Sequence, residues 1–366
     1  MSGARQIFQI EGDFDMYRGG VVSRPQIAYE TWGTLNEAKD NAVMIFTGLS
    51  PSAHATSSEE DAAPGWWEDV VGPSRSIDTR KYFVICANSF GSCYGSTGPA
   101  SIDEATNEPY RLHFPVLSLE DVATAGKLLL DHLGVTQLAA TVGPSMGGMS
   151  ALAFSTLYPE ASKSLLIVSS GPRSLPFSIA LRSMQREMIR KDPEWKKGLY
   201  EIGEGPISGM RLARKIGMVS YRSADEWEQR FGRERVPEER KTGDGFALDF
   251  EIESYLEAHA QKFTGQFDAN CYLYLSRASD LFDLADHGGS LEAAYAKIGP
   301  EKVTVIGVVS DLLFPVHQQQ QLAAGIAEAN PDKDVNYVEM DSIHGHDSFL
   351  VDMDQLRPIV QAFFDA

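Results

Sequence analysis

A chain of 366 residues that is 43% hydrophobic and 23% charged has the make-up of a folded protein in water, and no apolar run approaches the ~20 residues of a membrane-spanning helix. A formal net charge of −19 repels nucleic acid and anionic membrane, so neither is expected as a partner. Three cysteines, Cys86, Cys93 and Cys271, cannot build a disulfide framework, the opening residues Met1–Glu11 lack the core of a secretion signal, and no Cys/His cluster has zinc spacing; a cytoplasmic location and no bound metal are the expectations.

In chain order, Val21–Thr31, Ala42–Phe46 and Tyr82–Ala87 read as strands and Glu120–Leu133 as an amphipathic helix. Gln137–Val142 and Ser164–Ser169 follow as strands. Alternation of this kind predicts a mostly parallel sheet wrapped by helices. Between about 175 and 295 the pattern becomes polar, charged and helical, with candidates at Ser178–Arg190, Ile207–Met218, Ala224–Phe231, Asp249–Phe263 and Asn270–Phe282. Strand patterns return at Val303–Val309 and Val335–Met340. Residues 1–174 and 296–366 are therefore read as one core, with 175–295 inserted as a helical lid. Ser57–Pro64 and Glu234–Gly245 are polar loops.

Ser145 stands in Gly143-Pro144-Ser145-Met146-Gly147, between a buried strand and a helix of small residues, Gly148 to Tyr158. A tight turn between strand and helix lifts a serine hydroxyl above a sheet, and glycines beside it leave room for the turned backbone. Ser310-Asp311 ends the strand that starts at Val303, and His344-Gly345-His346-Asp347 follows the last strand. Serine, acid, histidine at successive strand ends is the chain order of α/β-hydrolase triads. Ser145, Asp311 and His346 are the expected nucleophile, orienting acid and base. Asp311 as a helix cap and the histidines as surface residues is the plainer alternative, and it leaves the shared order unexplained. A metal at His344, His346 and Asp347 has too few ligands.

A triad needs an oxyanion hole. The Met146 N–H after the nucleophile is one expected donor. Thr47-Gly48-Leu49-Ser50-Pro51, after the strand Ala42–Phe46, is placed to give the second, assigned to the Leu49 N–H. Charge is uneven along the chain: from Gly171 to Arg222 there are 11 Lys/Arg against 5 Asp/Glu. Most of these read as a solvated helix surface, yet such a stretch could also receive an anionic substrate.

Asn88-Ser-Phe-Gly-Ser-Cys-Tyr-Gly-Ser-Thr-Gly-Pro99 resembles a signature of the homoserine O-acetyltransferase family. So do Tyr29-Glu30-Thr31-Trp32-Gly33, Gly65-Trp66-Trp67, Gly143 to Met149 and Gly345-His346-Asp347. The resemblance runs from about residue 20 to the end. It implies transfer of an acyl group from acyl-CoA, which is a substrate and not a cofactor, to the hydroxyl of homoserine or serine. It implies ping-pong chemistry through an acyl-Ser145 intermediate, with His346 as base. It also implies that Arg214 holds the amino-acid carboxylate, that Tyr221 and Asp347 fix the rest of that substrate, and that two copies pair through the lid.

Two departures bear on substrate choice. Where homoserine-acetylating members carry a glycine-bearing loop resembling Ala-Leu-Thr-Gly, this chain has Gly48-Leu49-Ser50-Pro51. Proline stiffens and narrows the loop, which suits serine, one methylene shorter than homoserine. A methylene is worth only about 1–3 kcal/mol, so a preference is expected and not a barrier. Arg182 stands where acetyl-transferring relatives carry an uncharged residue, and it could pair with the carboxylate of succinyl-CoA. With the Gln318–Gln320 run, the pattern resembles the serine O-succinyltransferase branch. The alternatives are serine O-acetyltransferase, homoserine O-succinyl- or acetyltransferase, and an esterase or thioesterase.

Smaller features have mainly structural readings. Cys93 is expected to pack, Trp66 and Trp67 to line the core edge, and His54 to be a satisfied structural histidine that could tune the oxyanion loop. Phe177, Ile179 and Met184 suit either a dimer contact or the wall of an acyl tunnel.

Overall fold

The computed structural model describes residues 5–241 and 243–365. Met1–Ala4, Thr242 and Ala366, which fall within the opening segment, the Glu234–Gly245 loop and the core as drawn above, lie outside the described residues.

Eight strands form one sheet: β1 (Gln6–Gln9), β2 (Gln26–Trp32), β3 (Ala42–Phe46), β4 (Phe83–Ala87), β5 (Leu138–Pro144), β6 (Ser162–Val168), β7 (Lys302–Val308) and β8 (Asp334–Met340). Their spatial order is β1-β2-β4-β3-β5-β6-β7-β8. The pairs β1–β2 and β2–β4 are antiparallel and all later pairs parallel. The central strands are buried on both faces, which is why β3 reads as an unbroken apolar run. Side chains still alternate: Met44 and Phe46 enter one core, Val43 and Ile45 the other.

Helices cover both faces. On one lie α1 (Leu119–Leu133) and α2 (Met146–Leu157), and with them α8 (Val316–Ala329), whose Leu322, Ala323 and Ile326 join the same core. On the other, α9 (Met353–Asp365) buries Leu356, Val360 and Phe363. Ser118 and Asp121 form a capping box on α1, and Gly134 closes it at φ 69°. Between β6 and β7, along with shorter helical segments, come α3 (Pro176–Lys191), α4 (Ile207–Tyr221), α5 (Ala224–Phe231), α6 (Glu251–Phe263) and α7 (Ala269–Leu281).

The expected strand Val21–Thr31 is two pieces. Val21–Ser23 pairs in a separate hairpin with Asp13–Asp15, and β2 starts at Gln26. Arg24, at φ 44°, and Pro25 between them break the extended backbone. Strand β1 and helices α8 and α9 have no counterpart in the sequence reading. β1 is a four-residue edge strand with little burial, too short for a periodicity signal. No helix among the described residues is long and apolar enough to cross a membrane.

Candidate active site

Ser145 sits at the turn from β5 into α2 with φ 56° and ψ −128°, a conformation costly for a non-glycine residue. The flanking glycines are steric necessities. A Cβ on Gly143 would lie 2.2 Å from the Gly147 carbonyl oxygen. One on Gly147 would lie 2.1 Å from the Phe46 carbonyl oxygen. The second contact presses the start of α2 against the end of β3, so the Thr47–Pro51 loop begins beside Ser145.

The three expected triad residues converge. His346 Nε2 lies 2.7 Å from Ser145 Oγ, and Nδ1 lies 2.8 Å from Asp311 Oδ2. The other Asp311 oxygen accepts the Leu313 and Phe314 N–H groups at 2.8 and 3.0 Å. A carboxylate accepts, so Nδ1 donates and Nε2 turns its lone pair toward the serine O–H. Phe314 stacks on the imidazole with ring centroids 5.5 Å apart, and Phe349 meets it edge-on at 5.7 Å. Burial alone lowers the His346 pKa, but the adjacent Asp311 charge and hydrogen bond outweigh it and leave it raised.

Ser145 and His346 open into a cavity of about 150 Å³. Gly48, Leu49, Ser50, Pro51, Met146, Arg182, Arg214, Tyr221 and Asp347 all line it, so every expected site residue except Asp311, which stands behind His346, reaches its wall. The Gly48 position has room for a Cβ, since the nearest atoms would be Pro51 Cδ at 3.7 Å and Cγ at 3.9 Å. The Pro51 ring thus stands beside Gly48 in the cavity wall.

Several wall residues are already engaged. Arg182 Nε bonds Asp280 Oδ1 at 2.6 Å, and Arg186 Nη1 stands 2.7 Å from the second Asp280 oxygen. Asp347 Oδ2 accepts from Arg222 Nε at 3.1 Å, and Arg222 Nη1 donates to Glu226 Oε1 at 2.8 Å. Burial raises the Asp347 pKa, and Arg222, His346 and Arg214 offset this only in part. Burial also pushes the Tyr221 hydroxyl up. The Arg214 guanidinium lies 4.7 Å from the Phe263 ring centre.

The Thr47–Pro51 loop, the expected oxyanion loop, is held from outside. His54 Nδ1 lies 2.8 Å from Glu30 Oε2 and Nε2 lies 2.7 Å from the Ala63 carbonyl oxygen, with Asp61 Oδ2 at 3.6 Å from Nδ1. The carbonyl can only accept, so Nε2 carries a proton. Burial by itself lowers the His54 pKa; the Ala63 carbonyl and the Glu30 and Asp61 carboxylates raise it on balance. Trp66 Nε1 donates to the Ser52 carbonyl at 3.1 Å, and Gly65 packs so closely that a Cβ would lie 2.2 Å from the Ala55 backbone. The Asn88–Pro99 loop acts similarly. None of its residues lines the cavity, but Ser89 Oγ meets Thr47 Oγ1 at 3.0 Å, and Gly91 leaves no space beside Leu117.

Other residues singled out in the sequence lie as follows. The Gln318–Gln320 run lies outside the cavity: Gln318 donates to the Arg173 carbonyl, Gln319 to the Phe314 carbonyl, and Gln320 to Glu339. Phe177, Ile179 and Met184 are exposed and do not line this cavity. Trp66 lines the cavity as well as packing on Trp67. The sequence reading missed Gln185, Tyr272 and Ser279 in the wall, and the partners Arg222 and Asp280. Tyr272 and Ser279 share a face of α7 by their spacing of seven, the one sequence signal that could have found them. Among the described residues no group of three or more His, Cys, Asp or Glu could hold a metal ion.

Residues 41–352 match the alpha/beta hydrolase fold family. The chain is 51% identical over 364 residues to a serine O-succinyltransferase of Litchfieldella anticariensis, covering 99% of each chain. It is 50% identical to an L-serine/homoserine O-acetyltransferase of Streptomyces lavendulae, covering 98% of this chain and 97% of that one. Among solved structures it resembles homoserine O-acetyltransferase from Bacillus anthracis, with a TM-score of 0.90 at 27% identity over 99% of this chain and 97% of that one. It also resembles esterase E22, with a TM-score of 0.88 at 28% identity over 98% and 99%.

Proposed function

Because this chain belongs to the α/β-hydrolase-fold family and, within it, to the homoserine O-acetyltransferase family, we propose that it is an L-serine O-succinyltransferase, converting succinyl-CoA and L-serine to O-succinyl-L-serine and CoA. The observation that carries this reading is a triad opening into a small cavity walled by Arg182, Arg214 and Asp347. A cavity for a neutral ester has no need of two guanidiniums and a carboxylate; a zwitterionic amino acid and a dicarboxylic acyl group do. The names of the relatives support the same donor and acceptor.

In this mechanism His346 Nε2 takes the Ser145 proton as Oγ attacks the thioester carbonyl. The Leu49 and Met146 N–H groups receive the developing oxyanion, where each donor is worth about two to three orders of magnitude in rate. The C–S bond breaks, and the CoA sulfur leaves with the proton from His346. Succinyl-Ser145 remains. L-Serine then binds with its carboxylate at Arg214 and its ammonium at Asp347, beside Tyr221. His346 takes the hydroxyl proton, the serine oxygen attacks the acyl carbon, and the proton returns to Ser145 Oγ as O-succinyl-L-serine departs.

The lid, taken as residues 175–295, excludes water from this exchange. A homodimer formed through the lid and a reducing cytoplasm belong to the same proposal. Exposed Phe177, Ile179 and Met184 support the first and three free cysteines the second.

The test crosses succinyl-CoA and acetyl-CoA with L-serine and L-homoserine, following thiol release and acylated product. The highest kcat/KM for succinyl-CoA with serine is expected. Acetyl-CoA or homoserine in the winning pair makes the protein the corresponding acetyl- or homoserine-specific enzyme. Thiol release without acylated acceptor makes it a thioesterase, a hydrolase on the scaffold it shares with esterase E22.

A further inference from the structure

Of the three free cysteines, Cys86 in β4 and Cys271 in α7 are buried, while Cys93 in the Asn88–Pro99 loop is partly exposed. Cys93 lines a cavity of about 330 Å³ together with Ser101, Gln266 and Asp268. This cavity shares no wall residue with the catalytic one. A small solute therefore reaches the Cys93 sulfur without entering the space around Ser145.

Asp268, the N-cap of α7, brings a second thiol to this sulfur. The Asp268 N–H donates to Cys93 Sγ at 3.4 Å, and Asp268 Oδ1 accepts the Cys271 N–H at 2.9 Å. Cys271 thus sits in the first turn of α7, and its S–H donates to the Cys93 sulfur. The Cys271 and Asp268 donors hold the Cys93 thiol below the ordinary cysteine range, against burial and the Asp268 carboxylate. Burial pushes the Cys271 thiol well up. The two sulfurs are therefore unequal: one is a nucleophile facing a cavity, the other a thiol in contact behind it. A packing role explains why Cys271 is buried. It does not explain why a second thiol and a backbone donor both turn on the one cysteine that a solute can reach.

We propose that Cys93 and Cys271 form a modification site for hydrogen peroxide, with Cys93 as the attacking thiol and Cys271 as the resolving one. The Cys93 thiolate attacks one peroxide oxygen, the O–O bond breaks, and the other oxygen leaves as hydroxide and takes up a proton. Cys93 becomes a sulfenic acid, oxidised by two electrons, and the peroxide is reduced to water. Cys271 Sγ then attacks the Cys93 sulfur. The S–O bond breaks, and hydroxide departs with the Cys271 proton as a second water. The resulting disulfide joins the loop whose Ser89 meets Thr47 to the helix whose Tyr272 and Ser279 wall the catalytic cavity. This chemistry needs neither acyl-CoA nor an amino acid, and thiol reductants of a reducing compartment reverse it.

The test treats the native protein, freed of reductant, with a few equivalents of hydrogen peroxide. Remaining thiols are blocked with N-ethylmaleimide in denaturant, and the peptides are mapped by mass spectrometry without reduction. The wild type should yield an intramolecular Cys93–Cys271 disulfide that dithiothreitol reverses, with Cys86 recovered as a blocked free thiol. In Cys271→Ala, Cys93 should stop at the sulfenic acid, which dimedone captures. In Cys93→Ser, both the disulfide and the dimedone adduct should vanish and Cys271 should stay reduced. Free Cys93 and Cys271 in the treated wild type would overturn the site, as would a disulfide from either cysteine to a second chain or oxidation of Cys271 in Cys93→Ser. Because Cys271 is fully buried, circular dichroism checks the fold of its variant; the wild type and Cys93→Ser decide the question without it.

Discussion

Arg182 Nε stands 2.6 Å from Asp280 Oδ1 at the wall of the catalytic cavity, with both side chains almost buried. The arginine thus reaches the cavity already paired, and the same carboxylate also faces Arg186. One carboxylate between two guanidiniums leaves a net positive charge, which an incoming succinyl carboxylate can share. Arg182→Leu should lower kcat/KM for succinyl-CoA about tenfold or more and affect acetyl-CoA less. Steady-state kinetics with both donors checks this, and equal losses would remove Arg182 from donor selection. Asp280→Asn strips a nearly buried pair of its anion and should lower Tm by several degrees.

In the proposed mechanism, acyl-enzyme formation depends on the Ser145 hydroxyl. Ser145→Ala should abolish the succinyl adduct, read by intact-mass spectrometry after a brief exposure to succinyl-CoA. An adduct surviving in that variant would place the nucleophile elsewhere.

Acceptor choice is expected to lie partly with Pro51, whose ring stands beside Gly48. Pro51→Gly should shift the homoserine-to-serine ratio of kcat/KM upward by about tenfold, near the low end of what a methylene is worth. An unchanged ratio would make Pro51 a residue of the turn alone.

The pH profile should follow His346. Its pKa is raised by Asp311 against the opposing effect of burial, and the base works only when neutral. Acylation should therefore be full above that raised value and fall as pH drops through it, with the midpoint above the ordinary histidine value of about 6.5. Asp311→Asn removes the charge and should move the midpoint down while cutting kcat by several orders of magnitude.

His54 holds the exit of the Thr47–Pro51 loop with both ring nitrogens engaged. Its pKa is raised on balance, so the charged clamp is complete at lower pH and is lost as pH rises through that value. His54→Gln cannot serve Glu30 and Ala63 together. It should lower kcat about tenfold or more with little change in KM. A p-nitrophenyl ester burst, which reads Ser145 acylation alone, gives the same test without an amino-acid acceptor.

Much of the site was legible because local sequence dictates it. Gly143, Ser145 and Gly147 form a turn within five residues, and steric exclusion at the two glycines requires it. Asp311 and His346 follow strands β7 and β8, whose apolar run and alternating pattern, respectively, are visible without a partner. Helix α5 was found at its true ends, since Ser223 caps it and Gly232 follows.

What depended on tertiary structure was the pairing of distant side chains. Nothing in the sequence links Arg182 with Asp280, Arg222 with Asp347, or His54 with Glu30, because each pair is joined by the packing of separate elements and not by spacing. The Asn88–Pro99 loop shows the same division: its residues marked the family, while the fold revealed that it meets the Thr47–Pro51 loop from outside the cavity. Sequence alone determined the strand rhythm, the elbow and the order of the triad, since backbone sterics and hydrophobic periodicity act over a few residues. The shape of the cavity and the partners of its charges were decided only when the helices inserted between β6 and β7 closed over the sheet, because burial and ion pairing depend on which surfaces meet.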